Sequence, residues 1–265
     1  MRFFLYFLLI ISSLTACQSA FESVRTSNDS QRIYEEALKY YDKKDYYRAQ
    51  TLMELVLNQF KGTKQAEELF FKYSYTHYNL GTYELASTYF KTFASTFPYS
   101  QYTEEAEYMS AFCQYKLSPS FRLDQEPSIN AINAFQDFAN KYPDSDRVPK
   151  CNELIDELRV KLETKAYEEG MLYYNLSQFE AAVYAFQNML TLYPESPRAE
   201  YVRFLIFKAS YLYAQKSIYD KRSERYEEAQ LRYKEYISRY PKGKNIKEAR
   251  DIHKQIELES KNLSK

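Results

Sequence analysis

The side chains best suited to chemistry in this sequence are three thiols, Cys17, Cys113 and Cys151, and two imidazoles, His77 and His253. Zinc takes four ligands at closely paired spacings, and no such cluster of histidine and cysteine occurs, so no metal site is expected. His77 has no serine, cysteine or acid at a spacing that marks a nucleophile and its base. It falls where Tyr40 and Tyr173 fall in equivalent stretches, which predicts a packed ring. His253 lies near the end of a charged helical stretch and is expected to be exposed. The carboxylates read as solvated helix faces, as in Glu35 and Lys39 four residues apart, with no pair in a distinctive acid–base context. Neither an enzyme nor a cofactor is expected.

Cys17 stands apart from the other thiols. Arg2 precedes nine unbroken apolar residues, Phe3 to Ile11, and the segment closes on Leu14-Thr15-Ala16-Cys17. As a helix that run rises only about 13 Å against a hydrocarbon core of roughly 30 Å. Residues 1–16 therefore predict a removed export signal rather than a membrane span. The Leu-Thr-Ala-Cys ending resembles the lipobox of bacterial lipoproteins, which implies cleavage before Cys17, a covalent lipid on its sulfur and an acylated new amino terminus. One acyl chain binds a membrane only marginally and two signals already hold it stably, so Cys17 would be a lasting anchor. Gln18, in place of an aspartate, is compatible in that class with transfer to the outer membrane.

An exported chain meets an oxidising compartment, where Cys113 and Cys151 are either bridged or free; both fall in helical segments a whole repeat apart, and spacing does not decide. Without the signal, 35 Lys and Arg face 36 Asp and Glu. That balance gives no reason to expect nucleic acid as a partner. From Arg198 to Lys265, however, 17 basic residues face 10 acidic ones. This third either faces an acidic protein or anionic lipid, or simply presents solvated helix faces.

The elements that must position any binding surface are written in a repeat. An alanine is followed eleven residues later by an aromatic five times: Ala49 and Phe60, Ala86 and Phe97, Ala131 and Tyr142, Ala182 and Tyr193, Ala229 and Tyr240. Large residues stand four and seven positions after each alanine, on the same helix face. Pro98, Pro143, Pro194 and Pro241 follow four of the closing aromatics and end the helix there; Lys61 with Gly62 replaces proline in the first. Ser100, Ser145 and Ser196 come two residues after proline as turn or cap residues, with Gly243 in the last copy. An apolar periodic stretch and a short break precede each alanine, as in Ile33, Ala37 and Tyr40 before Asp42-Lys43-Lys44-Asp45. The unit is helix, tight turn, helix.

This pattern resembles the tetratricopeptide repeat over roughly residues 31–260. It predicts an all-α superhelical array of about five helical hairpins with a closing helix over 246–260. Alanine spacings exceed those of the family; the excess is placed in Ser118–Pro127, in Lys216–Arg225, and in a long first helix before Ala166. The expected organisation is a signal at 1–16, a lipidated tether at 17–30, N-terminal repeats over 31–145, C-terminal repeats and closing helix over 146–260, and a tail at 261–265.

In tetratricopeptide proteins the first helices line the inner face. Transferred to this chain, that stripe includes Tyr34, Tyr41, Phe71, Tyr75 and Tyr78. Tyrosine joins rigid apolar area to a hydroxyl that needs a partner, a combination common at interfaces. The rings form either a groove for an extended peptide or packing between repeats. The lipobox cysteine, the five repeats and the opening repeat from Tyr34-Glu35-Glu36-Ala37 to Tyr46-Tyr47-Arg48-Ala49-Gln50 together resemble the BamD (ComL) family of outer-membrane assembly lipoproteins. The resemblance implies a noncatalytic component on the periplasmic face of the outer membrane, held there by its lipid. It would recognise unfolded β-barrel clients through the stripe and dock on a BamA-like barrel insertase, with accessory lipoproteins as further partners. Arg232, Arg239, Lys242 and Lys244 would lie on the docking side. The alternative is a tetratricopeptide adaptor lipoprotein for division, polysaccharide export or secretion.

Overall fold

A computed structural model describes residues 20–263, so the export signal and Cys17 lie outside the described residues. Residues 20–25 are helical and lead into a run of helices: α1 (Ser30–Asp42), α2 (Tyr46–Val56), α3 (Lys64–Asn79), α4 (Tyr83–Thr96), α5 (Thr103–Leu117), α6 (Glu126–Lys141), α7 (Val148–Asn175), α8 (Phe179–Leu192), α9 (Ala199–Gln215), α10 (Tyr219–Arg239) and α11 (Ile246–Leu263). Among the described residues there is no strand. Consecutive helices pair as α1/α2, α3/α4, α5/α6, α7/α8 and α9/α10, and α11 closes the series, which is the expected array of hairpins.

Sequence sets the local geometry repeat by repeat. All five register alanines are 0% exposed, so a helix meets its neighbour there without a side chain in the way. The closing aromatics Phe97, Tyr142, Tyr193 and Tyr240 share one C-cap conformation, with φ between −123° and −131° and ψ between 63° and 66°. Each is followed by proline, which disfavours the helical region for the residue before it. Within hairpins, Lys44, Gly81 and Ser177 occupy the same turn position at φ 61°, 77° and 59°. Such a left-handed residue ends a helix while satisfying its last carbonyls.

The turns after proline carry a second device. The hydroxyls of Ser100, Ser145 and Ser196 donate to Glu67, Glu104 and Glu163 on the first helix of the same hairpin. The same oxygens accept the backbone N–H of Tyr102, Arg147 and Arg198 at 3.0–3.2 Å. In the last hairpin, Gly243 stands where the serine would be, and the Lys244 N–H donates to Glu200 at 2.6 Å.

Two of the long spacings hold non-regular or helical insertions of known form. Between α5 and α6 the connection is closed by two hydrogen bonds, Ser118 to Ser128 at 2.7 Å, partly buried, and Ser128 to Gln125 at 2.8 Å, fully buried. The long first helix expected before Ala166 is α7. Lys216–Arg225 corrects the expectation of a connection: Lys216 to Ile218 make the turn, and α10 already begins at Tyr219. Its charges hold that added helix in place, since Arg222 Nε donates to the Ser217 carbonyl at 2.9 Å and Arg225 lies 4.0 Å over the Tyr213 ring.

The chain divides into two compact units, residues 1–119 with 124–156, and residues 120–123 with 157–265, the division falling within α7. In the first, Ile33, Tyr34, Ala37, Leu52, Met53 and Leu69 build a core between α1, α2 and α3. In the second, Phe186, Met189, Val202 and Leu205 pack α8 on α9, and Phe207, Tyr226 and Tyr236 with Ile256 pack α9, α10 and α11. No described helix is long and apolar enough to cross a membrane.

Candidate interaction surfaces

The aromatic stripe lies in the first unit, and its rings are largely spent on one another. Tyr34 is 7% exposed, its ring 5.0 Å from Phe60 and its hydroxyl donating to Glu68 at 3.2 Å. Burial, and then the Glu68 charge, pushes that phenol up to about 12. Tyr34 is thus a packing residue of the α1–α3 layer rather than a free ring. Phe71 stacks on Tyr102 at 4.6 Å and meets Tyr75 edge-on at 5.1 Å. Tyr75 in turn sits edge-on to Phe90 at 4.9 Å, and its hydroxyl donates to Glu105 on the next first helix. Tyr78 packs against Tyr83 and Phe112. Tyr41 carries Lys72 over its ring at 4.9 Å, and burial raises its phenol to about 12.

Tyr41, Phe71, Tyr75 and Tyr78 nevertheless remain half-exposed. Phe71, Tyr75 and Tyr78 contact one another along one face of α3, and Tyr41 meets Tyr46 and Lys72. Such a face offers apolar contact without a deep pocket. The Tyr75–Glu105 link holds one of these rings in place.

The basic candidates separate into two groups. Arg232 and Arg239 line a cleft of about 770 Å³ between α8, α9 and α10. Lys242 and Lys244 are exposed in the turn beyond α10 and are not among its lining residues. A third cleft arginine, Arg203 on α9, escaped the sequence reading. A legible signal was present, because Arg203 occupies the repeat position held by Glu107, a reversal of charge at one register site. Arg232 is held by Glu228 at 3.4 Å and Glu235 at 3.6 Å, and with the Gln187 carbonyl turned toward it both terminal nitrogens donate at 2.8 and 2.9 Å.

Cys113, Cys151, His77 and His253 are all packed in the fold. Cys113 and Cys151 are free buried thiols, which burial pushes up to about 12 and about 11. A thiol held so far from ionisation is a poor nucleophile. His77 is buried between Tyr73 and Tyr89 and shares hydrogen bonds with Gln50 and Thr82 at 3.0 Å, and burial lowers its pKa. His253, expected to be exposed, instead stacks on Tyr233 at 4.0 Å and is half-buried. The helix that carries it packs its ring side against α10. Among the described residues no group of His, Cys, Asp and Glu is arranged to hold a metal ion.

The YfiO family model, described as an outer membrane lipoprotein, matches residues 26–168, more than half of the chain. A tetratricopeptide repeat model matches residues 166–196. No curated protein matches. Among solved structures, the chain is similar to a thermophilic TPR protein of Thermus thermophilus, at 16% identity and a TM-score of 0.33 over 87% of this chain and 100% of that one. It is also similar to the TPR2AB domain of yeast Sti1, solved in complex with pHSP90, at 14% identity and a TM-score of 0.39 over 86% and 98%. A third similarity is to the yeast histone chaperone Hif1, at 13% and 0.28 over 93% and 98%. The helix pairs of the chain itself, not these overlays, define its fold.

Proposed function

The chain belongs to the YfiO family of outer membrane lipoproteins, and from that premise we propose that it is a noncatalytic component of the machinery that assembles β-barrel proteins into the outer membrane. The family match carries the reading, because it spans the opening repeat, the next two hairpins and most of α7, and so holds Tyr34, Tyr41, Phe71, Tyr75 and Tyr78. In this reading Cys17 bears the lipid that anchors the chain at the periplasmic face. The half-exposed edges of Tyr41, Phe71, Tyr75 and Tyr78 receive unfolded clients, whose strands offer apolar and aromatic side chains on one face. Contact of this kind is broad and shallow, which suits a client that must be passed on rather than retained. A BamA-like insertase docks on the second unit, where the basic excess lies.

Depletion of the chain tests this. The expected result is loss of folded β-barrel proteins from the outer membrane, with unfolded clients accumulating in the periplasm, and recovery of a barrel insertase with the purified lipoprotein. Normal barrel levels after depletion would overturn the reading. A defect confined to division, polysaccharide export or secretion would then give the same scaffold to another envelope complex.

A further inference from the structure

We propose that the cleft between α8, α9 and α10 binds an acidic segment of a partner protein, with Arg203, Arg232 and Arg239 holding its carboxylates. The inference takes from the proposed function only that the chain is an adaptor, and it does not depend on which envelope machine the chain serves.

Among the described residues the side chains of Arg203 and Arg239 make no hydrogen bond or ion pair, and the Nε atoms of Arg203 and Arg232 are buried without a partner. A buried donor left unmade is costly, and a charged one more so. The Nε edge of a guanidinium presents two parallel N–H donors, a geometry that a carboxylate fills with both oxygens. Arg232 is already oriented by Glu228, Glu235 and Gln187, so its fork is fixed before any ligand arrives.

Size and lining select the ligand class. A cleft of about 770 Å³ is larger than one anion needs, and its cations come from two helices rather than from one point. Glu235 is its single acid, and Leu190 and Ile206 supply apolar floor. Several carboxylates along a peptide, with an apolar side chain between them, match that arrangement better than a lone headgroup. The hairpin fold does not require it, since in the equivalent groove of the first unit Lys141, at the position of Arg239, is paired with Glu107.

The test is fluorescence anisotropy on the full lipidated chain in detergent. The probe is a labelled peptide Glu-Asp-Leu-Glu-Phe-Glu, compared with its amide counterpart Gln-Asn-Leu-Gln-Phe-Gln and with phosphatidylglycerol vesicles. We expect saturable binding of the acidic peptide alone, weakened about tenfold by Arg203→Gln and again by Arg239→Gln. Arg203→Lys should recover part of the loss, and Lys91→Gln in the first unit should change nothing. Circular dichroism melts establish that each variant is folded. Equal binding of the amide peptide, or an unchanged affinity in the Arg203→Gln/Arg239→Gln chain, would overturn the proposal. So would arginine-dependent binding to vesicles with none to the peptide. If the cleft fails while depletion still removes β-barrels, the assembly role stands without it; if the peptide binds and barrels are normal, the cleft stands and that role falls.

Discussion

The groove between α4, α5 and α6 in the first unit and the cleft between α8, α9 and α10 in the second are the same place in the repeat. Counted from the buried alanines, Glu107 falls where Arg203 does, Ala134 where Arg232 does, Asp137 where Glu235 does, and Lys141 where Arg239 does. Their volumes are close, about 700 and about 770 Å³. In the first, Lys141 is paired with Glu107, and Gln114, Ser87 and Ser110 bond one another at 3.0 Å, so much of the lining is internally paired. In the second, three arginines line the cleft with one acid, Glu235, and only Arg232 is paired, to Glu235 and to Glu228 outside the lining. The alanines, closing aromatics and prolines hold both hairpins in one geometry, while the groove positions contribute little to that geometry and are free to change. Fold and specificity are therefore carried by different residues of the same helices.

The largest expected effect comes from exchanging the turns that close the two grooves. At Gly243 an added Cβ would lie 2.5 Å from Glu200 Oε1 and 2.8 Å from the Tyr236 hydroxyl. Gly243→Ser, which copies the other three turns, should therefore force Glu200 from the Lys244 N–H and cost about 1–3 kcal/mol in urea unfolding. A variant as stable as the parent would mean that the two turns are interchangeable. Ser145→Ala in the first unit should cost less, about 1 kcal/mol, because it removes the hydroxyl bridging Glu104 and the Arg147 N–H but leaves no overlap behind.

These turns also mark what was legible in the sequence. The five alanines, the proline stops and the long helix before Ala166 follow from spacing, because helix period and proline sterics act locally. Lys216–Arg225 did not, since charge density suggested a solvated connection, whereas Arg222 and Arg225 fold back on Ser217 and Tyr213 to start α10 early. The stripe left groove and packing open, and the structure spends Tyr34 on packing: its ring goes to Phe60 and its hydroxyl to Glu68, contacts made across helices that no single-chain periodicity contains. Arg203 needed the comparison of two repeats at one register position, a signal visible only once the copies are aligned groove by groove.

A smaller effect separates the units by pH. His77 stands in the first unit where Tyr173 stands in the second, and burial lowers its pKa while Glu54 opposes that shift. Above its unfolded value, roughly 6.5, both folded and unfolded imidazoles are neutral and the burial has no proton cost. As pH falls below that value the unfolded chain binds a proton that the folded chain refuses, so stability is lost progressively down to the folded pKa. Unfolding midpoints measured between pH 7.5 and 5 should fall in the parent and flatten in His77→Gln. An equal slope in that variant would assign the dependence to other groups and erase this difference between the units.

The smallest expected effect tests whether the arginine cleft gives up stability for its lining. Arg203→Glu restores the residue type of Glu107, with Arg239 in the place of Lys141, so the variant should gain an ion pair and lose a repulsion. Arg239 is exposed, and a pair with one exposed partner gains little, typically under about 1 kcal/mol, most of which 0.5 M salt should remove. A double-mutant cycle with Arg239→Gln isolates the pair: favourable coupling of Arg239 to position 203 in the Arg203→Glu chain, and none or an unfavourable one in the parent, is the expected outcome. The reverse change, Glu107→Arg, should lower stability by a similar amount through Lys141. If Arg203→Glu instead destabilises the chain, Arg203 is held by its packing on α9 rather than kept for a ligand, and the two grooves differ in structure as well as in charge.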